Sequence, residues 1–531
     1  MTQPGGARLG RASGVMALGT VASRGTGFLR TIAITAAIGI HQVGDAYNVA
    51  NTTPNIIYDL LLGGILTSVV VPVLVRASKE DEDGGERFAS SLLTLVGLGL
   101  AAFTAIGLII APLIARIYEA NSAAVPLSTT FMRWFLPQIV FYGVGATIGA
   151  ILNIRGRFGA PMATPVINNL VVIGIAVVFI FLPGPRPPTL AGLTTTQITV
   201  LGAGTTLGVI AMTLALLPSL RRSGFRYRPR LDLRHPGLQQ AMRLAGWVLV
   251  YVLVSQLSYF VVTRLATGTV AFTTYSNAYQ LFQLPHAIIA VSLITALLPR
   301  MSAHAADQRF DLVRGDLSVG LRMSAVILVP AALGLLVLAE PISVAVFAHG
   351  SSSVADATRI GGALAAFAVA LLPFSAFQLL LRAFYAMADS RTPALVMCAV
   401  AAVNIASALI LAEALPNRDR AIALALSFAL SYAAGAAICF RLLHHRLQRV
   451  DGARITRTVA RAAVAGAIAA AIAYVICWAL RNALGQGVSG SLLGVLLGAS
   501  VGAALYLAAA WRMTEELRAV RTLVGGRFGR R

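Results

Sequence analysis

Charge is scarce in this sequence. Asp, Glu, Lys and Arg make up 12% of the 531 residues, against about 25% in a soluble domain. So little charge cannot cover the surface of a water-soluble protein of this size. The same composition excludes a disordered or fibrous chain. Lysine is nearly missing: Lys79 is the single one among 42 cations. Cysteine is rare, and Cys398, Cys439 and Cys477 each lie in a separate apolar run. That excludes a disulfide framework and leaves no Cys-based metal site to expect. Acids hardly enter the apolar runs: Asp59 and Glu340 lie inside them and Asp45 at a rim. No run holds two spaced carboxylates, and no cluster of His, Cys, Asp or Glu has metal-ligand spacing. No glycine-rich phosphate loop follows a strand. Neither ATP hydrolysis nor metal-dependent chemistry is expected. A cleavable signal pattern is also missing, because the first apolar run is too long for one.

What the sequence does have is apolar length. Hydrophobic types make 57% of the residues and the mean hydropathy is +0.79. A bilayer span needs about 20 apolar residues. Runs of that kind fall near 14–40, 47–75, 88–115, 127–154, 161–183, 196–219, 238–266, 271–299, 318–348, 358–388, 392–414, 420–440, 459–480 and 486–511. The expected fold is an all-α polytopic membrane protein with fourteen transmembrane helices.

The net charge of +22 would suggest nucleic acid in a soluble protein. Here it sorts by side. With a cytoplasmic N-terminus, 29 cations fall on the cytoplasmic side and 5 outside, as the positive-inside rule requires. Missing one span would invert every later loop. Both termini are therefore expected in the cytoplasm, and no nucleic acid as a partner.

The chain also resembles itself at an offset of about 230 residues. Ala46-Tyr47-Asn48 through Pro54-Asn55 is similar to Asn277-Ala278-Tyr279 through Pro285-His286, and residues 150–161 to residues 382–393. This implies two pseudo-symmetric six-helix lobes followed by two C-terminal helices. The expected segments are 1–220 (N-lobe), 221–237 (arginine-rich cytoplasmic linker), 238–447 (C-lobe), 448–511 (two extra helices) and 512–531 (basic tail). Such paired bundles enclose a cleft and rock about it.

Arginine inside a span costs at least about 2.5–3.5 kcal/mol and usually faces a cavity. Arg133, Arg243, Arg322 and Arg359 lie near span ends, within snorkelling reach of the interface. Arg264 and Arg382 are two further intramembrane arginines. Arg24 and Arg30 stand well inside the first run, with Gly25 and Gly27 between them. Six residues of ideal helix point them about 120° apart, and a hinge at Gly25 and Gly27 would bring both into one cavity. The competing reading is neutralisation by Asp45 or Asp59. Arginine without matching acid suits an anion such as phosphate or pyrophosphate. Helix breakers such as Gly25, Gly27 and Pro54 would expose backbone donors for it.

Ser23-Arg24-x-x-Gly27-Phe28-x-Arg30, Asp45-Ala46-Tyr47 and Pro54-Asn55 resemble the first two helices of the MurJ (MviN) family of bacterial lipid II flippases. Arg264-Leu265-Ala266, Gln283-Leu284-Pro285 and Leu297-Leu298-Pro299-Arg300-Met301-Ser302 are similar to its seventh and eighth. The resemblance is closest to actinobacterial members. It extends to the superfamily of multidrug, oligosaccharidyl-lipid and polysaccharide exporters. It implies a transporter, not an enzyme. The implied cargo is lipid II, moved to the outer leaflet of the bacterial plasma membrane by alternating access. It implies a binding set of Arg24, Arg30, Asp45, Asn55, Arg264 and Gln280. Members often carry Arg-Arg where this chain has Tyr58-Asp59, and a basic residue where it has Gln280. Some bind sodium through acids and an Asn in the seventh and eleventh helices. Asn404 fits, with no acid beside it. No cofactor is expected, and the membrane potential or an ion gradient supplies the drive. Some actinobacterial members continue into a kinase-like domain, which residues 1–531 do not include. The expected partners are lipid II and the bilayer, with cell-wall synthases and cytoplasmic regulators as candidates, and the expected state is a monomer. The alternatives are an exporter of teichoic or capsular lipid-linked sugars, a multidrug carrier, and a polytopic glycosyltransferase. A cationic-drug carrier usually wants a buried acid pair. A glycosyltransferase wants longer outer loops than the roughly 5–15 residues found here.

Overall fold

The computed structural model describes residues 5–59, 74, 83–157, 159–231, 236–269, 271–447 and 450–513. Among the described residues every regular element is a helix. The chain divides into two compact units, Met1–Gln256 and Leu257–Arg531.

The first unit contains α1 (Gly5–Ile38), α2 (Gln42–Asp59), α3 (Glu86–Tyr118), α4 (Val125–Phe135), α5 (Gln138–Ile154), α6 (Gly159–Phe181), α7 (Thr195–Leu214), α8 (Leu217–Arg222) and the start of α9 (Pro236–Thr267). The second holds the end of α9, then α10 (Phe272–Pro285), a π-helical turn at His286–Ala290, and α11 (Val291–Ala306). It continues with α12 (Phe310–Phe347), α13 (Val354–Ala386), α14 (Arg391–Ala414), α15 (Arg420–Arg446), α16 (Gly452–Leu484) and α17 (Val488–Met513).

Eleven helical segments among the described residues are long and apolar enough to cross a membrane. They coincide with the expected spans three to seven and nine to fourteen. The protein is therefore an all-helical, multi-pass membrane protein. The expected spans one, two and eight are helical but less apolar. The first contains Arg24 and Arg30. The second is rich in Asn and Thr, and its remainder, 60–73, lies outside the described residues. The eighth carries Asn277, Gln280, Gln283 and His286, and it is not one helix: after Pro285 the π turn separates α10 from α11. The expected fourth span is likewise divided, at Pro137, into α4 and α5, because proline has no N–H to continue the ladder.

In the first unit α1 packs mainly on α6, α6 on α7, α3 on α5 and α2 on α4. In the second, α12 packs against α13, α16 and α17, and α13 against α15. The last two helices therefore belong to the second unit's core. Arg481 of α16 pairs with Glu340 of α12 at 2.9 Å, and the Tyr506 hydroxyl of α17 donates to the Val326 carbonyl.

Three details recur along the chain. The turn after α5 closes with Arg157 N–H donating to Leu152 O at 2.8 Å and Gly156 at φ 72°. The turn after α13, 232 positions on, closes with Asp389 N–H donating to Phe384 O at 2.9 Å and Ala388 at φ 59°. This six-to-one bond and left-handed residue form a Schellman motif. An Asn of α6, Asn169, holds Ser23 of α1, and 235 positions on Asn404 of α14 holds Ser258 of α9. Tyr47 lies edge-on to Phe131 at 5.7 Å, and Tyr279 meets Phe367 at 5.6 Å.

Ala388 stands where its counterpart is Gly156. A left-handed conformation costs a side-chain-bearing residue about 1–2 kcal/mol, partly offset by glycine's greater chain entropy. Ala388→Gly should therefore stabilise the protein by about 0.5–1 kcal/mol, read as a higher thermal midpoint in detergent. An unchanged or lower midpoint would contradict this.

The next residue, Asp389, is partly sheltered. Burial alone would raise its carboxyl, but the Thr392 N–H and hydroxyl and the Arg446 guanidinium hold the anion and bring it below its usual value. A carboxyl lowered by folding adds stability that is complete above its unfolded value and is lost as pH falls through the lowered one. As pH falls from about 5 through the lowered value, the wild type should lose thermal stability more steeply than Asp389→Asn. Parallel pH profiles would refute it.

Candidate functional site

Arg24 and Arg30 sit about three-fifths and three-quarters of the way along α1, in a helix that runs unbroken from Gly5 to Ile38. The expected hinge at Gly25 and Gly27 is not a break here: both residues are helical, and neither has a positive φ. The physical reason is the solvent. Lipid offers no partner to a freed backbone group, so the ladder persists through glycines that water would fray. The two arginines therefore remain about 120° apart around the axis. Arg24 is exposed and Arg30 half-buried. Among the described residues neither guanidinium has a hydrogen bond or an ion pair.

Asp45 is buried in the first turn of α2, at 3% exposure. A carboxylate there is favoured by the helix dipole. It pairs with neither Arg24 nor Arg30. The Asp59 and Tyr58 side chains lie outside the described residues. Pro54 is buried within α2, which continues through it to Asp59. Proline cannot donate to the Ala50 carbonyl, so that acceptor loses its usual helical partner. Nearby, Asn51 Oδ1 and Thr53 Oγ1 are buried without partners among the described residues. Asn55 is not open: its Oδ1 accepts from the Tyr142 hydroxyl of α5 at 3.4 Å.

In the second unit, Arg264 is exposed in the last turn of α9, and Gln280 is exposed on α10. The named residues thus fall on the first two helices of each unit, in two groups. Of the other intramembrane arginines, Arg133 and Arg359 are exposed, and Arg382 lies over the Tyr385 ring at 5.8 Å. The Arg243 side chain lies outside the described residues. A cavity of about 500 Å³ in the second unit is lined by Ser302, Gln308, Phe310, Ala388 and Arg446 among others. It contains no expected site residue.

Some site residues escape a search for charge. Asn169 donates to Ser23 O at 3.1 Å and to Thr26 Oγ1 at 3.0 Å. The Tyr47 hydroxyl meets Thr205 Oγ1 at 2.8 Å. His286, at the head of the π turn, meets Ser375 Oγ at 2.8 Å. The signal for Asn169 was present as Asn168-Asn169 inside an apolar run. Asn404 gives its amide to Ser258 at 2.8 Å and takes a bond from Ser427 at 3.1 Å, so both ends of that amide meet hydroxyls.

The sequence profile of a family described as "Lipid II flippase MurJ" matches residues 34–498. This chain belongs to the lipid II flippase MurJ family. The MurJ match begins after Arg24 and Arg30, so membership does not depend on them. The lipid II flippase MurJ of Burkholderia cenocepacia is 28% identical over 387 residues, 70% of this chain and 72% of that one. The probable lipid II flippase MurJ of Rickettsia prowazekii is 24% identical over 448 residues, 83% and 85% of the two chains. A solved structure of lipid II flippase MurJ in an inward closed conformation shares the fold. Its TM-score is 0.75 at 19% identity, over 94% of this chain and 99% of that one. An outward-facing multidrug resistance MATE family transporter of the MOP superfamily is similar at a TM-score of 0.60 and 16% identity, over 84% and 99%. MurJ proteins are flippases, which move a lipid and catalyse no bond change.

Proposed function

We propose that this chain carries lipid II, an undecaprenyl-pyrophosphate-linked disaccharide pentapeptide, from the cytoplasmic to the outer leaflet by alternating access. The observation that carries the reading is the pair of guanidiniums on α1. Within a MurJ chain, Arg24 and Arg30 have no hydrogen bond or ion pair among the described residues. A guanidinium held in a span without a counter-ion is expensive unless an anion visits it. Pyrophosphate supplies that anion, and the planar fork of arginine suits its oxygens. With α1 continuous, the two arginines address the head group from different sides of the helix.

The full span count is fourteen, in two pseudo-symmetric six-helix lobes plus two helices, with both termini cytoplasmic. The recurring turn and the recurring Asn–Ser contact support the duplication. The polyprenyl tail stays in lipid while the head group crosses. With the cytoplasm negative, outward movement of an anion gains about 2.3 kcal/mol per charge per 100 mV. The membrane potential is therefore sufficient drive, and the Asn404 cluster, built of an amide and two hydroxyls, gives sodium no carboxylate among these partners. Arg24, Arg30 and Asp45 bind, with Asn55, Arg264 and Gln280 lining the route. The protein works as a monomer in the bacterial plasma membrane, beside cell-wall synthases.

The test is depletion of the protein in cells, followed by an externally added toxin that cleaves lipid II. Lipid II should become protected from cleavage within the depletion period. Continued cleavage would overturn the reading.

A further inference from the structure

The geometry points to Asn169 as a positioning residue for the anion-binding arginines of α1, a role that rests on the proposed flippase reading. Ser23, Thr26, Gly27 and Arg30 occupy i, i+3, i+4 and i+7, one stripe of an unbroken helix. That stripe is held by α6 at two levels. At Gly19, a β-carbon would come within 3.0 Å of Met162 Cβ, so the helices approach closely. One turn further along, Asn169, itself 7% exposed, donates to both Ser23 O and Thr26 Oγ1. The Thr26 hydroxyl gives its own proton to the Ala22 carbonyl at 2.8 Å. Its lone pair is thereby aimed outward at the Asn169 amide. A single side chain thus grips α1 at the residues on either side of Arg24 and Gly25.

Two contact levels fix the rotation of a cylinder about its axis, where one level does not. Arg24 follows a gripped residue and Arg30 lies on the gripped stripe, so the direction of both guanidiniums is set by this contact. The second unit has a simpler counterpart: Asn404 donates to the Ser258 hydroxyl of α9 alone, Val261 stands where Thr26 would give a second acceptor, and the position after Ser258 is Tyr259 and not an arginine. The grip is therefore a part of the fold that one unit has loaded with charge.

The test measures binding of a short-chain polyprenyl pyrophosphate to the purified full chain in detergent. Asn169→Ala should weaken binding about tenfold. The loss from Asn169→Ala should shrink in the Arg24→Gln background and vanish when Arg24→Gln and Arg30→Gln are combined, because the amide acts through both arginines. Thr26→Val, which removes one acceptor and keeps the shape, should give a smaller loss with the same non-additivity. It carries the test if Asn169→Ala does not elute as a single species. Asn404→Ala should add independently to Arg24→Gln. Unchanged binding in Asn169→Ala, or losses that add, would overturn the positioning role while the flippase reading stands. Unchanged binding in Arg24→Gln would instead overturn that reading.

Discussion

Arg24→Ala or Arg30→Ala leaves the protein in the membrane at its normal level and abolishes growth of cells that depend on it. Each substitution removes a cation that is not tied to the protein among the described residues. Folding therefore loses little, and insertion becomes easier by about 2.5–3.5 kcal/mol per arginine. Binding loses a charge-assisted bidentate contact. Hydrogen bonds to charged groups contribute about 1.5–3 kcal/mol each, so the loss of even one of the two lowers affinity for the pyrophosphate about tenfold to a hundredfold. The measurement pairs complementation with immunoblotting of membranes. Normal growth of either variant would remove the basis of the proposed site. Arg133→Ala and Arg359→Ala, at exposed positions near helix ends, should complement.

Gly361→Leu gives the same growth defect by the opposite route, through loss of the protein itself. Gly361 lies in α13 where it crosses α12. A β-carbon there would stand 2.6 Å from Glu340 Cα and 3.1 Å from Glu340 N. Those are backbone atoms, which no rotamer change can move aside. Overpacking in a close-packed interior costs about 1–3 kcal/mol when side chains can yield, and more when only backbone can. The displaced turn also bears Glu340, the partner of Arg481, so the shift reaches α16. The variant should be scarce in membranes and fail to elute as a single species. A well-folded Gly361→Leu would mean that α12 and α13 can separate freely.

Legibility in the sequence followed the strength of each signal. Arg24 and Arg30 were plain because a charge in an apolar run is costly anywhere. The eleven most apolar spans were plain for the same reason in reverse. The ends were less so: α12 begins at Phe310, well before the apolar run near 318, since a helix continues past the hydrocarbon wherever neighbours support it. The π turn at His286 had only Pro285 as a warning. The unbroken course of α1 was hidden, because glycine propensities are measured in water and lipid changes the balance. Asn169 was hidden by averaging. One amide among Val, Ile and Leu barely moves a hydropathy window, yet its two bonds decide how α1 is turned.

The partnership of α1 with α6 also governs how the chain is made. With Arg24 and Arg30 both centrally placed, α1 carries an insertion penalty of about 5–7 kcal/mol from those two residues alone. Its main neighbour is not synthesised until more than a hundred residues later, when Gly159–Phe181 emerges. The contact of Asn169 with α1 can therefore form only after most of the first unit has been made. Birth order and final structure are tied together by the same contact.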